Sequence, residues 1–380
     1  METNRKETFI QNTFLPEPGA KIAVGLSGGV DSAVSALLLK QAGYKVEAFF
    51  MRNWDSTANS ELNHILTEDE ICQQELDYND AKKVANQLGI KLHRVDFVKE
   101  YWTLVFKKFL KEIELGMTPN PDIFCNRFIK FDKFFDHVFS DKSFDYVAMG
   151  HYARIVKIDD EFFLGEAVDY FKDQTYFLAE IKKEKLQKIY FPLGELTKKE
   201  VRQIALDNKL SVAEKKDSTG ICFIGKRNFP EFINNYFDKK PGDIIDETTN
   251  KKIGTHDGVL FYTIGQRRGL NLGGFNQPYF VSNKNVKTNV LYVSNGDLNA
   301  RLFSTKITAT NFNLLVDHKE VMGNVEIKIR HSEVKYEATI ISFDKNVVIV
   351  ETIKPVRAVT TGQELVLYKD YICLGGGQIV

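Results

Sequence analysis

Residues 22–32, Ile-Ala-Val-Gly-Leu-Ser-Gly-Gly-Val-Asp-Ser, take an apolar strand into a turn rich in glycine and serine, and a helical pattern follows over 33–41. A strand passing through so tight a turn into a helix is the opening unit of an open α/β sheet, and it constrains the fold more than any other stretch of the chain. Gly28 and Gly29 accept positive φ and let the backbone come close to a ligand, while the N–H groups that open the helix attract an anion. The turn therefore reads as a phosphate site. A Walker-type loop would place a lysine after its last glycine, but Val30 and Asp31 stand there. A carboxylate among phosphates repels them unless a cation bridges the two, so Asp31 points to Mg²⁺ between the protein and the phosphates of a nucleotide. The plainer alternative is a strand-to-helix turn in which Asp31 only favours the helix dipole.

Strand-like runs at 45–51, 92–97 and 146–149 alternate with helical patterns at 33–41, 79–88, 101–115 and 126–138. Such alternation predicts a doubly wound parallel sheet, with the ligand beyond the carboxyl ends of its strands, where the loop after Leu26 would lie. The polar stretch 52–77 has no clear period and reads as a long active-site loop with one helical turn, able to order on substrate binding. Helical patterns return at 183–190 and 197–209, the second opened by a capping box from Thr197 to Glu200. Past 225 come a helical 229–237, a Pro241-Gly242-Asp243 turn and glycine-rich strands, which together suggest a small central α+β domain. From 301 onward, runs such as 325–330, 336–343, 347–352 and 363–368 alternate between short turns, the pattern of a small antiparallel β-barrel or sandwich. The expected division is an extension over 1–20, an α/β domain over 21–225, a central domain over 226–298 and a barrel over 299–380.

Lys plus Arg and Asp plus Glu each number 51 in the 380 residues, so no global field draws a polyanion and any nucleic-acid site must be local. No apolar run approaches a membrane span and the first residues lack a secretory h-region, which predicts a cytoplasmic protein with no membrane partner. The cysteines at 72, 125, 222 and 373 form no Cys-x-x-Cys pair and no disulfide framework, yet thiol chemistry stays open. Cys125 follows Asn120-Pro121-Asp122 at or near the expected start of a helix, where a thiol tends to ionise more readily. Asp122, three residues earlier, can serve as a base or orienting group if the turn folds its carboxylate toward the thiol or the substrate, which spacing alone does not show. The competing reading of a lone cysteine is a small buried hydrophobe. Cys222 lies in Ser-Thr-Gly-Ile-Cys-Phe-Ile-Gly, a loop suited to close approach, where a thiol can carry sulfur as a persulfide and a second thiol can resolve the S–S bond. Cys373, in an apolar run, reads as packing.

Taken together, Gly-Leu-Ser-Gly-Gly-Val-Asp-Ser, Phe-Met-Arg-Asn-Trp-Asp, Met-Thr-Pro-Asn-Pro-Asp with Cys125-Asn-Arg, Gly-His-Tyr-Ala-Arg, Lys-Asp-Gln-Thr-Tyr-Phe-Leu and Ser-Thr-Gly-Ile-Cys222-Phe-Ile-Gly resemble the tRNA-specific 2-thiouridylases. These belong to the N-type, or PP-loop, ATP pyrophosphatases. The resemblance spans nearly the whole chain. It implies thiolation at C2 of uridine 34 in tRNAs for Lys, Glu and Gln, with ATP, Mg²⁺ and a sulfur relay from a cysteine desulfurase, by a monomeric protein. It further implies that Gly25, Leu26, Ser27, Gly28, Gly29, Val30, Asp31 and Ser32 cradle the ATP phosphates, with Met51 beside the adenine and Gly150 at the nucleotide's border. Asn120, Pro121 and Asp122 would meet the target base, with Asp122 as general base, Cys125 as nucleophile and Cys222 as persulfide carrier. His151, Lys172, Asp173, Gln174, Arg330, His331 and Gln363 fall at tRNA-contacting positions, His331 standing where the family usually has Tyr. Read from the residues themselves, His151 is equally a hydrogen-bonded strand-end histidine and Lys172 to Gln174 an ordinary polar turn. Arg267 and Arg268, flanked by Gly265 and Gly269, are the basic pair best suited to a phosphate backbone. Two other functions compete: an ATP-dependent ligase or amidotransferase, which leaves both cysteines idle, and a non-catalytic RNA-binding protein, which would not need an intact phosphate loop.

Overall fold

Five strands build the first sheet, in the order β3-β2-β1-β4-β7, every neighbouring pair parallel. They are β1 (Lys21–Gly25), β2 (Lys45–Arg52), β3 (Lys91–Asp96), β4 (Tyr146–Ala148) and β7 (Ile189–Tyr190). Ile22, Ala23 and Val24 are wholly buried, as expected for a strand covered on both faces. The computed structural model describes residues 13–55, 73–140, 142–216, 232–318 and 321–380.

The first helix, α1 (Val30–Gln41), begins three residues before the expected start, because extended Gly29 is its N-cap and Val30 already packs in the core. The helix α2 (Gln73–Leu88) takes in residues 73–77 of the stretch read as loop; 56–72 lie outside the described residues. Two further helical rods, 98–114 and 121–139, each contain a π segment, Trp102–Phe106 and Cys125–Lys133. The expected helix at 183–190 is instead a 3₁₀ turn, Lys183–Lys188, running into β7. Lys198–Asp207 is helical behind Thr197, and both bonds of the predicted capping box are made.

The central sheet, of β8 (Gly242–Asp246), β9 (Lys251–His256), β10 (Tyr279–Asn285) and β11 (Val290–Asn295), runs β10-β11-β8-β9, with β11 and β8 parallel. Before it, 232–237 make a helical turn, and 229–231 lie outside the described residues. Six antiparallel strands follow: β12 (Phe303–Leu314), β13 (Gly323–Lys328), β14 (Tyr336–Asp344), β15 (Val347–Arg357), β16 (Glu364–Lys369) and β17 (Ile372–Ile379). Pairing of β12 with β17 closes them into a barrel, which settles barrel against sandwich. The hairpin of β5 (Arg154–Ile158) and β6 (Glu161–Gly165) leaves the first domain to pair with β17 through Ile372–Gly165 and Cys373–Leu164. Cys373 is fully buried there, and burial drives its thiol pKa far up, in keeping with packing.

Candidate active site

The chain order switches sides between β1 and β4, the place in an open α/β sheet where a crevice forms at the carboxyl ends. The loop after β1 and the segment after β4 meet in that crevice. Gly28 holds φ at +77°, and a Cβ there would collide with the carbonyl oxygen of Asp77 on α2. The Ser27 amide donates to the Ser32 hydroxyl at 3.1 Å, and that hydroxyl donates to the Gly29 carbonyl at 3.1 Å, so serine side chains brace the turn from within. Gly25 lies against Met149 and Met51 at the strand ends, and Gly150 abuts the backbone of Asp31 and Ser32.

Asp31 does not stand alone. Lys198 Nζ reaches its two oxygens at 2.7 and 2.8 Å, and the Tyr152 hydroxyl donates to it at 3.0 Å. Lys215 Nζ donates to the Gly28 carbonyl at 3.0 Å and to Asp77 and Asp80, each at 2.8 Å. Both lysines escape sequence reasoning; their only signals are the capping box beside Lys198 and the Lys215-Lys216 pair. Among the described residues no three acidic, histidine or cysteine side chains cluster as a metal site.

The thiol turn is built differently from expectation. Its helix starts at Pro121, with the Asn120 side chain as cap accepting from the Asp122 amide at 3.1 Å. Cys125 is therefore the fifth helical residue, at the head of the π segment and 3% exposed, and gets no help from the unbonded N–H groups of a first turn. Asp122 sits in that turn. Burial pushes its carboxyl pKa up, with Lys130 and His331 pulling the other way. Cys72 and Cys222 lie outside the described residues.

All three domains meet at Thr118, just before this turn. Its amide donates to the Thr361 carbonyl at 2.9 Å, its own carbonyl accepts from Gln363 Nε2 at 2.6 Å, and its hydroxyl lies 3.4 Å from that of Thr263 in the central domain. Gly362, with φ at +89°, lets the barrel approach Met117 and Thr118 so closely. His331 packs at a tilt against Phe177 with centroids 4.5 Å apart, and its Nε2 lies 3.1 Å from the Asp173 carbonyl oxygen. Gln174 pairs with the Tyr152 backbone in both directions. The Asp173 carboxylate faces inward, accepting from the Ala167 amide at 3.0 Å and the Thr175 hydroxyl at 2.6 Å, while Lys172 is exposed. Arg330 donates to the carbonyls of Arg357 and Ala358 at 2.8 and 2.9 Å. Arg267 and Arg268 are exposed. His151 is buried against Phe131 and Phe191, with Lys130 Nζ 3.3 Å from Nε2.

Three family models match: a tRNA methyl transferase HUP domain over 20–226, a tRNA methyl transferase PRC-barrel domain over 230–295 and an aminomethyltransferase beta-barrel domain over 304–379. Curated relatives include the tRNA-specific 2-thiouridylase MnmA of Mycoplasma capricolum, 48% identical over 367 residues, and that of Mesoplasma florum, 49% identical over 376 residues. Each alignment spans 94% of this chain and 98% of the relative. Solved structures are only loosely alike: a 4-thiouridine synthetase–RNA complex with bound ATP gives a TM-score of 0.34 at 15% identity, over 55% of this chain and 46% of that one. With all three domains matched and relatives nearly half identical along almost their whole length, the chain belongs to the tRNA-specific 2-thiouridylase family.

Proposed function

We propose that the protein is a tRNA-uridine 2-sulfurtransferase that uses ATP to adenylate C2 of uridine 34 and then places sulfur there from a persulfide on Cys222. One observation carries the coupling of the two half-reactions. The segment Gly150-His151-Tyr152 touches both sites: Gly150 and Tyr152 contact Asp31 and its neighbours, while His151 meets Lys130 on the helix of Cys125. An adenylated base held by that segment would sit between the phosphate loop and the helix that carries Cys125.

In this reading the loop from Gly25 to Ser32 holds the ATP phosphates through backbone N–H groups, with Met51 and Gly150 bordering the nucleotide. Asp31 offers a single carboxylate, already charge-paired with Lys198, so a Mg²⁺ ion would rest chiefly on phosphate oxygens, with Asp31 as its protein ligand. When bound, that ion would neutralise departing pyrophosphate. Asp122 takes the N3 proton as O2 of the uracil bonds to the α phosphorus and pyrophosphate leaves. The terminal sulfur of the Cys222 persulfide then bonds to C2 and AMP departs. Cys125 attacks Sγ of Cys222; the old S–S bond breaks, its electron pair stays with the sulfur on C2, and a Cys125–Cys222 disulfide remains for an external thiol to reduce.

Asn120, Pro121 and Asp122 would seat the base, which must leave the anticodon stack to enter. Lys172, Gln174, His151, His331, Arg330 and Gln363 would line the approach, and Arg267 and Arg268 would meet the phosphate backbone. Asp173 joins them through its backbone, since its carboxylate is committed inside. The central domain over 226–298 and the barrel over 299–380 would grip the RNA, and the enzyme would act as a monomer. The substrates would be tRNAs for Lys, Glu and Gln, charged with sulfur from a cysteine desulfurase in the cytoplasm. Among the described residues, no helix is long and apolar enough to cross a membrane.

The decisive test follows ³⁵S from a cysteine desulfurase to protein and to tRNA, beside AMP release. Cys222→Ser should hold no donor sulfur. Cys125→Ser should accept sulfur yet form no 2-thiouridine, and both should still adenylate tRNA. Normal 2-thiouridine yield from either variant would refute the two-cysteine scheme.

A further inference from the structure

We propose that Asp169 is a further positioning residue of this reaction: its carboxylate joins the turn that meets the RNA to the lysine that aims Asp31, so that tRNA binding and ATP binding strengthen each other. The inference rests on the proposed roles of Asp31 at the nucleotide phosphates and of the Lys172–Gln174 turn at the RNA.

The carboxylate is shared between two elements. Oδ1 accepts from the Lys172 amide at 3.3 Å, and the Asp169 carbonyl accepts from the same amide at 3.0 Å, which closes a turn over 169–172. Oδ2 accepts from the Lys198 amide at 2.8 Å. Lys198 is the first residue of its helix, where an amide has no acceptor within the helix and an anion is favoured. The same Lys198 sends Nζ to both oxygens of Asp31, at 2.7 and 2.8 Å. One residue therefore carries the restraint from its backbone to its side chain, and Asp169 holds Asp31 at one remove.

A second path closes the connection into a ring. The Tyr152 hydroxyl donates to Asp31 at 3.0 Å, the Tyr152 amide donates to Oε1 of Gln174 at 3.0 Å, and the Gln174 amide donates back to the Tyr152 carbonyl at 2.8 Å. From Asp31 the ring runs through Lys198, Asp169, the chain to Gln174, and Tyr152. Each link outside the covalent chain is a hydrogen bond or an ion pair. The foot of the turn is fixed as well, because the Val168 amide donates to the Gly194 carbonyl at 2.9 Å and the Ala167 amide to Asp173 at 3.0 Å. Lys172, in the middle of the turn, is exposed. A ligand that orders this turn thereby orders Asp31, and the ligand arriving second meets a ring already restrained. Sites joined in that way bind with positive coupling, the same in both directions.

The test is calorimetric titration of the full-length protein with α,β-methylene-ATP and Mg²⁺, with and without a saturating, unmodified transcript of a tRNA for Lys. The ratio of the two dissociation constants is the coupling factor, and a loss of affinity common to both titrations cancels from it. In the wild type the tRNA should tighten binding of the analogue by about tenfold, within the usual range for coupled sites. Asp169→Ala should bring the factor down to about one. Asp169→Asn offers one carbonyl oxygen to two amide donors, so its factor should fall between, and its near-identical shape keeps the test open if the alanine variant folds poorly. A wild-type factor of one, or a wild-type factor retained by the folded Asp169 variants, overturns the proposal. If the wild type fails to bind either the analogue or the tRNA, the underlying reading of the site fails. If it binds both and the factor survives the substitutions, only the role of Asp169 falls.

Discussion

Gly28 shows what a single missing side chain does. Its backbone is left-handed and its neighbour is a carbonyl of α2, so any Cβ meets both a torsional penalty and a clash. Gly28→Ala should leave the sheet intact, lower stability by about 1–2 kcal/mol and abolish tRNA-dependent pyrophosphate release, as a thermal melt beside a pyrophosphate assay would record. Wild-type pyrophosphate release from the folded variant would contradict the phosphate role of the loop. This residue was legible from sequence because its constraint is local. The partner of Asp31 was not: Lys198 is 167 positions away, and no spacing rule links them. The orientation of Asp173 was not legible either, since a polar turn residue looks the same in sequence whether its carboxylate points to solvent or into a seam. Burial decides that, and burial is a property of the tertiary fold.

Elements were read well where their signals were covalently close. The capping box at Thr197 and Glu200 formed as written. Thr197→Ala should cost about 1 kcal/mol of stability and, because Lys198 is the first helical residue, also loosen the clamp on Asp31. Denaturant unfolding should record the first effect and a raised apparent KM for ATP the second; an unchanged KM would place Lys198 under the control of packing rather than of the cap. The thiol helix begins five residues before the expected 126, because proline is favoured in the first helical position behind an asparagine cap. The short strand β7 was taken for helix because two paired residues carry no period of their own. The β5–β6 hairpin escaped for a related reason: its stabilising partner is a strand some two hundred residues later.

Across the molecule, the seams are polar as well as apolar. Lys328, buried in the barrel, lies 3.7 and 3.6 Å from Glu166 and Asp173 of the first domain, and Lys335 reaches Glu166 at 2.9 Å. Nearby, Glu364 on β16 is raised well above the ordinary carboxyl value of 4.5 by burial and then by Glu180 and Glu112. A carboxyl raised in the native state holds a proton that the unfolded chain has lost, so its contribution to stability falls as pH rises from 4.5 toward the native value. Glu364→Gln carries no such proton. Its melting temperature should therefore gain on the wild type as pH rises above 4.5, and a difference that stays constant with pH would mean that Glu364 is not protonated in the folded protein.

The β6–β17 pairing also bears on how this architecture can be recombined. A cut at the linker before β12 looks harmless in a linear map, yet it strands a hairpin whose outer edge belongs to the barrel. A barrel grafted from one relative to another must travel with residues 154–165, or the chimera exposes an open strand edge and invites pairing with a second chain.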